Sequence, residues 1–240
     1  MLNLEYPNIG IIGAMDCEVN SIVDLLEDCL VRDFSGLRIY DGIYNDSIVS
    51  VVKCGIGKVN AAMCAQMLID RRDCEVLINT GIAGAISEDL KVGDVVVSVD
   101  AVEHDFNATG VGYPQGEIPD QATSIYTADK NLVDMIKNCD FSSKIDGKVM
   151  FGLIASGDIF VSKEKTKQFI HENFNAMCCE MEGAAIAHVA HKNNIPFVII
   201  RSISDSASDD AGEVYANFEQ HAANISKTFT LALLENLCKS

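Results

Sequence analysis

Phe197-Val198-Ile199-Ile200-Arg201-Ser202-Ile203-Ser204-Asp205 begins as a buried strand and ends in groups that a core cannot hold unpaired. Phe197 to Ile200 is uninterrupted apolar and rich in β-branched residues, and Pro196 precedes it, which predicts a parallel strand covered on both faces. Arg201, Ser204 and Asp205 follow. Ligands collect at the carboxyl ends of strands in open α/β sheets, so a carboxylate there is placed for chemistry. Asp205 could equally cap the next turn, and this stretch alone leaves both readings open.

Immediately upstream, Ala176 to Met181 is apolar except for Glu180, and Glu182 opens a small-residue helix, Gly183 to His191. His188 and His191 share a helical face, a spacing that permits a metal pair, but no third ligand stands at a recognisable distance. Lys148 to Ala155 predicts another strand, ending in Ser156-Gly157-Asp158-Ile159-Phe160-Val161-Ser162, with Ser162 a suitable N-cap for a helix from Lys163. A large aromatic at such a strand exit can line a planar ligand pocket, and it can also be core. Downstream, the acidic segment Ser206 to Glu213 does not place glycine at the sixth position and glutamate at the twelfth, as an EF-hand loop requires. A last helix, Glu213 to Leu237, is expected to cover the sheet.

The N-terminal half repeats the strand, glycine turn, helix pattern of an α/β domain. Asn8 to Gly13 is a short apolar strand, and Val19, Ile22, Val23, Leu25 and Leu26 recur at helical spacing after a loop carrying Asp16 and Glu18. Gly10 and Gly13 do not make a dinucleotide fingerprint, and two carboxylates stand where a phosphate needs bare amides. Leu37 to Tyr44 and Ser47 to Cys54 read as strands joined through Asn45-Asp46. Gly55-Ile56-Gly57-Lys58 then leads into a helix from Val59 to Asp70. Lys58 is followed by Val59 and no glycine stands five residues before Gly57, so this is not a triphosphate-binding loop. Val76 to Asn79 predicts a buried strand and Thr80-Gly81-Ile82-Ala83-Gly84 a turn, either for close approach of a ligand or only for tight geometry. Val92 to Val102 gives a further strand. Glu103-His104-Asp105 then starts an irregular stretch through Asp120, of a length usually functional or interfacial, before a helix around Leu132 to Ile136.

The 240 residues suit one α/β domain spanning 1–240, with no linker, repeat or low-complexity tract to divide them. A net charge of −17 argues against nucleic acid or an anionic membrane surface as partner. Met1 to Tyr6 has no basic region or long apolar run, and no later segment holds a membrane-length apolar stretch, so a soluble, cytoplasmic protein is expected. Nine cysteines without a Cys-x-x-Cys pair read as buried reduced thiols rather than a disulfide framework or zinc site.

Three strand ends therefore present acids: Glu18, Glu182 and Asp205. With the glycine turns and Phe160 they outline a cleft for a polar, uncharged ligand. The chain resembles the 5′-methylthioadenosine/S-adenosylhomocysteine nucleosidases of the nucleoside phosphorylase type I superfamily over nearly its whole length. The carrying motifs are Gly-Ile-Ile-Gly-Ala-Met-Asp-Cys-Glu at 10–18, Gly-Ile-Gly-Lys-Val at 55–59, Asn-Thr-Gly-Ile-Ala-Gly at 79–84, Val-Gly-Asp-Val-Val-Val-Ser at 92–98, Ser-Gly-Asp-Ile-Phe-Val at 156–161, Glu-Met-Glu-Gly-Ala at 180–184 and Arg-Ser-Ile-Ser-Asp at 201–205.

The resemblance implies a three-layer α/β/α sandwich with a twisted mixed sheet, a homodimer, and hydrolysis of the N-glycosidic bond of adenine thionucleosides without metal or organic cofactor. Carried over to these positions, it has Glu18 activate water and Asp205 protonate adenine N7. Glu182 binds the ribose hydroxyls with Met181, Phe160 stacks on adenine and the Val161 backbone reads its edge. Met15, Ile56 and Tyr215 surround the sugar and thioether, with Ile82, Arg201 and Ser204 as further substrate contacts. Val111 and Pro119 complete the 5′ pocket of the partner subunit. Adenine anion is a poor leaving group, so general acid catalysis at N7 is worth about 10²–10⁴-fold. The implied acid Asp205 must be protonated near neutral pH, whereas Glu18 must stay ionised to polarise water and favour an oxocarbenium-like sugar.

Two positions depart from the family's pattern: Ile82 stands where serine is frequent, which removes one hydroxyl contact near the site and leaves backbone amides to serve, and Val111 stands where an aromatic is common, which implies a less filled 5′ pocket and a shifted tolerance of the 5′ group. The rival reactions are phosphorolysis on the same fold, cleavage of futalosine or another purine nucleoside, and non-catalytic nucleoside binding. Phosphate wants arginines and exposed amides. Asp16 and Glu18 stand on the first loop and no arginine is expected near the Asn79–Gly84 turn, so the local charge repels phosphate and favours water. Recognition alone does not demand two carboxyls in different protonation states, which argues against a binding module.

Overall fold

The computed structural model describes residues 7–141, 145–208 and 211–238; the reading of Met1 to Tyr6, and Asp209 and Asp210 of the acidic segment, lie outside the described residues. In chain order the elements are β1 (Ile9–Gly13), α1 (Asp16–Val23), β2 (Glu27–Phe34), β3 (Leu37–Tyr44), β4 (Ser47–Lys53), α2 (Lys58–Arg72), β5 (Val76–Ala85), β6 (Val95–Glu103), β7 (Ile125–Thr127), α3 (Lys130–Lys137), β8 (Val149–Ser156), α4 (Glu164–Phe174), β9 (Cys178–Glu180), α5 (Gly183–Asn193), β10 (Phe197–Asp205) and α6 (Ala211–Leu237).

The strands form one mixed sheet of order β10-β6-β8-β9-β5-β1-β4-β3-β2, with β7 beside β6. β10 also pairs in parallel with β5, so the sheet curls back on itself at one end. Helices α1, α3 and α6 pack together, as do α2 and α5, giving the α/β/α arrangement. Every residue of β5 and of β10 is buried, which explains why both read as continuous apolar runs. Their core is Ile, Val, Leu and Ala from β1, β4, β5, β6 and β10, closed by Phe229, Leu233 and Leu234 of α6. Among the described residues no helix is long and apolar enough to cross a membrane.

Several sequence expectations are corrected. Thr80–Gly84 is not a turn but the second half of β5, held by β10 on one side and by β9 at its end. Of the two readings left open for Asp205, the structure makes it the last residue of β10, and its Oδ1 also accepts from Ala207 N at the start of the next turn. α4 begins at Glu164 after Lys163, so Ser162 is not its N-cap. β6 starts at Val95, because Lys91 to Asp94 form a turn in which Asp94 accepts from Lys91 N at 2.8 Å. β2, exposed along its whole length, and the short β7 were not foreseen. All nine cysteines are free; five are buried, Cys29 is exposed and the rest are intermediate. His188 and His191 pack against Tyr126, and His188 Nδ1 lies 3.1 Å from Glu103.

Candidate active site

The parallel strands β1, β5 and β10 deliver their carboxyl ends to one cavity, open at its mouth. Its wall includes Met15, Glu18, Ile56, Ile82, Phe160, Val161, Met181, Glu182, Ser204, Asp205 and Tyr215. Of the residues singled out in the sequence for this chain's own site, only Arg201 is missing from the wall.

Glu18 stands in the first turn of α1, where its carboxylate is buried yet well supplied with donors. It accepts from Ala14 N at 2.6 Å, Met15 N at 3.0 Å and Ile82 N at 3.2 Å. Burial pushes the Glu18 carboxyl above its ordinary value, while Arg201 and these three amides pull it back. The result is a carboxylate more basic than one in water and fixed in direction, the properties wanted in a group that takes a proton from water.

Asp205 reaches the same cavity by another route. The β10–β5 register runs from Phe197 opposite Leu77 to Ile203 opposite Ala83, then shifts so that Asp205 faces Gly84. This bulge inserts Ser204 and re-aims the carboxyl. Asp205 Oδ1 accepts from Ala207 N at 2.8 Å and Oδ2 from Ser204 Oγ at 2.8 Å. A side chain at Gly84 would come within 2.9 Å of Asp205 Oδ1, so glycine is what leaves room for it.

Behind the wall lies Arg201, 1% exposed. It donates to Asn79 Oδ1 at 2.6 Å and to Glu180 Oε2, and its Nη2 stands 3.8 Å from Glu182 Oε2. The sequence places no arginine near Asn79–Gly84, but the β5–β10 pairing sets Arg201 directly opposite Gly81. That expectation is overturned by strand order, which sequence adjacency does not reveal. The guanidinium is committed to three glutamates, Glu18, Glu180 and Glu182, so the surroundings stay acidic.

Glu180 is the functional-site residue that sequence reasoning passed over. Its Oε2 accepts from Glu182 N at 3.0 Å and Gly183 N at 2.8 Å, capping α5, and its Oε1 accepts from Ser156 Oγ. One charge in an apolar run was the available signal, because a buried carboxylate requires partners. Glu182 next to it is pushed up to about 7, first by burial and then by Glu180, with Arg201 opposing.

The mouth is aromatic. Phe160, 45% exposed, meets Tyr215 edge-on with centroids 5.6 Å apart, and the Tyr215 hydroxyl donates to Met15 Sδ at 3.1 Å. Val111, 76% exposed, and Pro119 lie on the long loop and are not part of this wall. Among the described residues no three His, Cys, Asp or Glu side chains gather as a metal site.

The sequence profile of the phosphorylase superfamily matches residues 8–237. A Staphylococcus aureus protein named 5′-methylthioadenosine/S-adenosylhomocysteine nucleosidase is 39% identical over 230 residues, covering 95% of this chain and all of its own. The chain belongs to this nucleosidase family of the phosphorylase superfamily. Among solved structures, the S-adenosylhomocysteine nucleosidase of Streptococcus pyogenes in complex with 5-methylthiotubericidin superposes with a TM-score of 0.92 at 35% identity, over 98% of this chain and 99% of that one. The futalosine hydrolase of Helicobacter pylori superposes with a TM-score of 0.91 at 30% identity, over 96% and 98%. The chain is therefore a nucleosidase, an N-glycosidase of the hydrolase class.

Proposed function

We propose that this nucleosidase hydrolyses the N-glycosidic bond of 5′-methylthioadenosine and S-adenosylhomocysteine, and of 5′-deoxyadenosine as a third substrate, releasing adenine and the 5′-substituted ribose. The observation that carries the reading is the pair of buried carboxyls, Glu18 and Asp205, entering one apolar cavity from different elements with different donors. Asp205 delivers a proton to adenine N7 as the C–N bond breaks, and the electron pair of that bond passes to the base. Glu18 takes a proton from the water that attacks the anomeric carbon. Ser204 holds Asp205, Phe160 stacks on the base, and the Val161 backbone reads its edge. Glu182 and Met181 take the ribose, and Met15, Ile56, Ile82 and Tyr215 the 5′ end. Arg201 acts from behind, as the counter-charge that keeps Glu18 and Glu182 in one site.

Water rather than phosphate fits this electrostatic setting. One guanidinium facing Glu18, Glu180 and Glu182 has no charge left for a phosphate dianion. Further parts of the reading are one catalytic domain, a homodimer and a cytoplasmic location. Unpaired cysteines support the last. The dimer is supported by exposed Val59, Met63 and Val111, with Val111 and Pro119 available to a second copy's 5′ pocket.

The test is adenine release from methylthioadenosine by the purified protein, without and with phosphate, identifying the sugar. Free methylthioribose at the same rate in both buffers is expected. A phosphate-dependent sugar phosphate would make the enzyme a phosphorylase. No release from methylthioadenosine, with release from futalosine, would move it to that neighbour's reaction.

A further inference from the structure

Helix α2 starts without a cap of its own. Gly57, its N-cap residue, offers no side chain and sits at φ +99°, where any other residue is strained; a Cβ there would also come within 3.1 Å of Asp158 Oδ1. The first two amides are satisfied by carboxylates from distant loops instead. Gly57 N donates to Glu182 Oε1 at 2.9 Å and Lys58 N to Asp158 Oδ1 at 2.8 Å. Asp158 N donates in turn to Asp105 Oδ2 at 2.8 Å, and Asp105 Oδ1 accepts from Lys58 Nζ at 2.6 Å. Those bonds close a ring through three loops. Lys58 Nζ also donates to Glu103 Oε2 at 2.8 Å, and Glu103 Oε1 faces His188 Nδ1 at 3.1 Å.

The ring sits between two parts of the nucleoside pocket. Ile56 lies two residues before Lys58, and Phe160 two residues after Asp158. Ile56 is 56% exposed and Phe160 is half exposed as well, so apolar packing fixes neither of them fully. The side chains of Lys58, Asp105 and Glu103 are mostly shielded from solvent, which makes their pairing stronger than that of surface charges. The N-terminal end of the α2 dipole adds to the attraction for Asp158. Glu182, which binds the same helix end, is thereby held in register with Phe160.

We propose that Lys58, Asp105 and Asp158 form a clasp that positions Phe160 and Glu182 for the nucleoside, which makes Asp158 a positioning residue of the reaction. The clasp rests on the functional reading above for its kinetic effect, but not for its mechanical one. Binding of base and ribose weakens together when it opens, because Asp158 of the ring lies two residues before Phe160 and the helix end that the ring holds also carries the Gly57 amide bonded by Glu182. The carboxyls that move protons are anchored elsewhere, Glu18 on α1 and Asp205 on β10.

The experiment compares the full-length wild type with Asp158→Ala, Asp158→Asn and Asp105→Ala by amide hydrogen exchange and by kinetics with methylthioadenosine. Asp158→Ala is expected to speed exchange at 57–61 and at 158–162 together. Asp105→Ala, a change on a third loop, should do the same. Asp158→Asn keeps an acceptor for Lys58 N and should restore slow exchange in both segments. In parallel, KM should rise about tenfold in Asp158→Ala, with kcat changed less than about threefold, and return towards wild type in Asp158→Asn. Faster exchange confined to the mutated loop, or an Asn variant indistinguishable from Ala, would overturn the clasp. Should the wild type not cleave methylthioadenosine at all, the functional reading fails while the exchange pattern still decides the clasp.

Discussion

Arg201 Nη2 lies 3.8 Å from Glu182 Oε2 and bonds Glu180 directly, so one buried guanidinium holds both carboxylates that flank Met181. Arg201→Met keeps much of the volume and removes the charge. Three acidic side chains, Glu18, Glu180 and Glu182, then remain in a nearly solvent-free site without their counter-ion, and the expected destabilisation is about 3–5 kcal/mol. Denaturant unfolding checks it. Because Glu180 and Arg201 share one network, Glu180→Gln combined with Arg201→Met should cost less than the sum of the two single changes. Strict additivity would mean that the pair is not energetically coupled.

Gly81→Ala tests how closely β5 and β10 approach at that point. An added Cβ would come within 2.5 Å of Glu18 Oε1 and would press on Arg201 Nη1. Both are buried and hydrogen-bonded, so neither can swing away freely. Overpacking of this kind costs about 1–3 kcal/mol, and a displaced Glu18 should lower kcat about 10²-fold. Thermal unfolding and single-turnover adenine release measure the two effects. An enzyme with normal stability and rate would show that the strands can part here without consequence.

How much of this was legible in the sequence depends on which signal carried it. The apolar run from Phe197 to Ile200 announced a central strand because burial on both faces leaves no alternation to hide it. Glu18, Glu182 and Asp205 were visible because each follows such a run. β2 was invisible: Glu27-Asp28-Cys29-Leu30-Val31-Arg32-Asp33-Phe34 has no period of two, and as an exposed edge strand it has no buried face to impose one. Arg201 facing Gly81 could not be read either, because it depends on which strands are neighbours. Glu180 is the one charge in an apolar strand, but its role is not legible there because its partners Ser156 and Arg201 come from β8 and β10 and meet it only in the folded sheet.

Asp205→Asn separates acid catalysis from binding. The amide oxygen can still accept from Ala207 N, and Ser204 Oγ can turn its own oxygen toward the new NH₂ group. The side chain should therefore stay in place while losing the carboxyl proton that the proposed acid role requires. A fall in kcat of about 10²–10⁴-fold, with KM changed by less than about threefold, is the expected result in steady-state assays. Retention of near-wild-type kcat would remove Asp205 from the acid role.

Glu182 gives the protein a pH dependence that can be read without substrate. Its carboxyl stands at about 7 in the folded chain against 4.5 for an unhindered glutamate, through burial and the neighbouring Glu180, with Arg201 in opposition and Glu18 adding a smaller push. Between those two values the folded protein binds a proton that the unfolded chain has released. The stabilisation is therefore fully present below pH 4.5 and is lost as pH rises through 7. Glu182→Gln keeps an acceptor for Gly57 N but cannot ionise, so it lacks this slope. Plotted against pH, wild-type stability minus that of Glu182→Gln should fall by about 3 kcal/mol between pH 4.5 and pH 8. Urea unfolding of both proteins across that range supplies the plot. A flat difference would mean that Glu182 already carries its charge at pH 5, with Arg201 winning over burial.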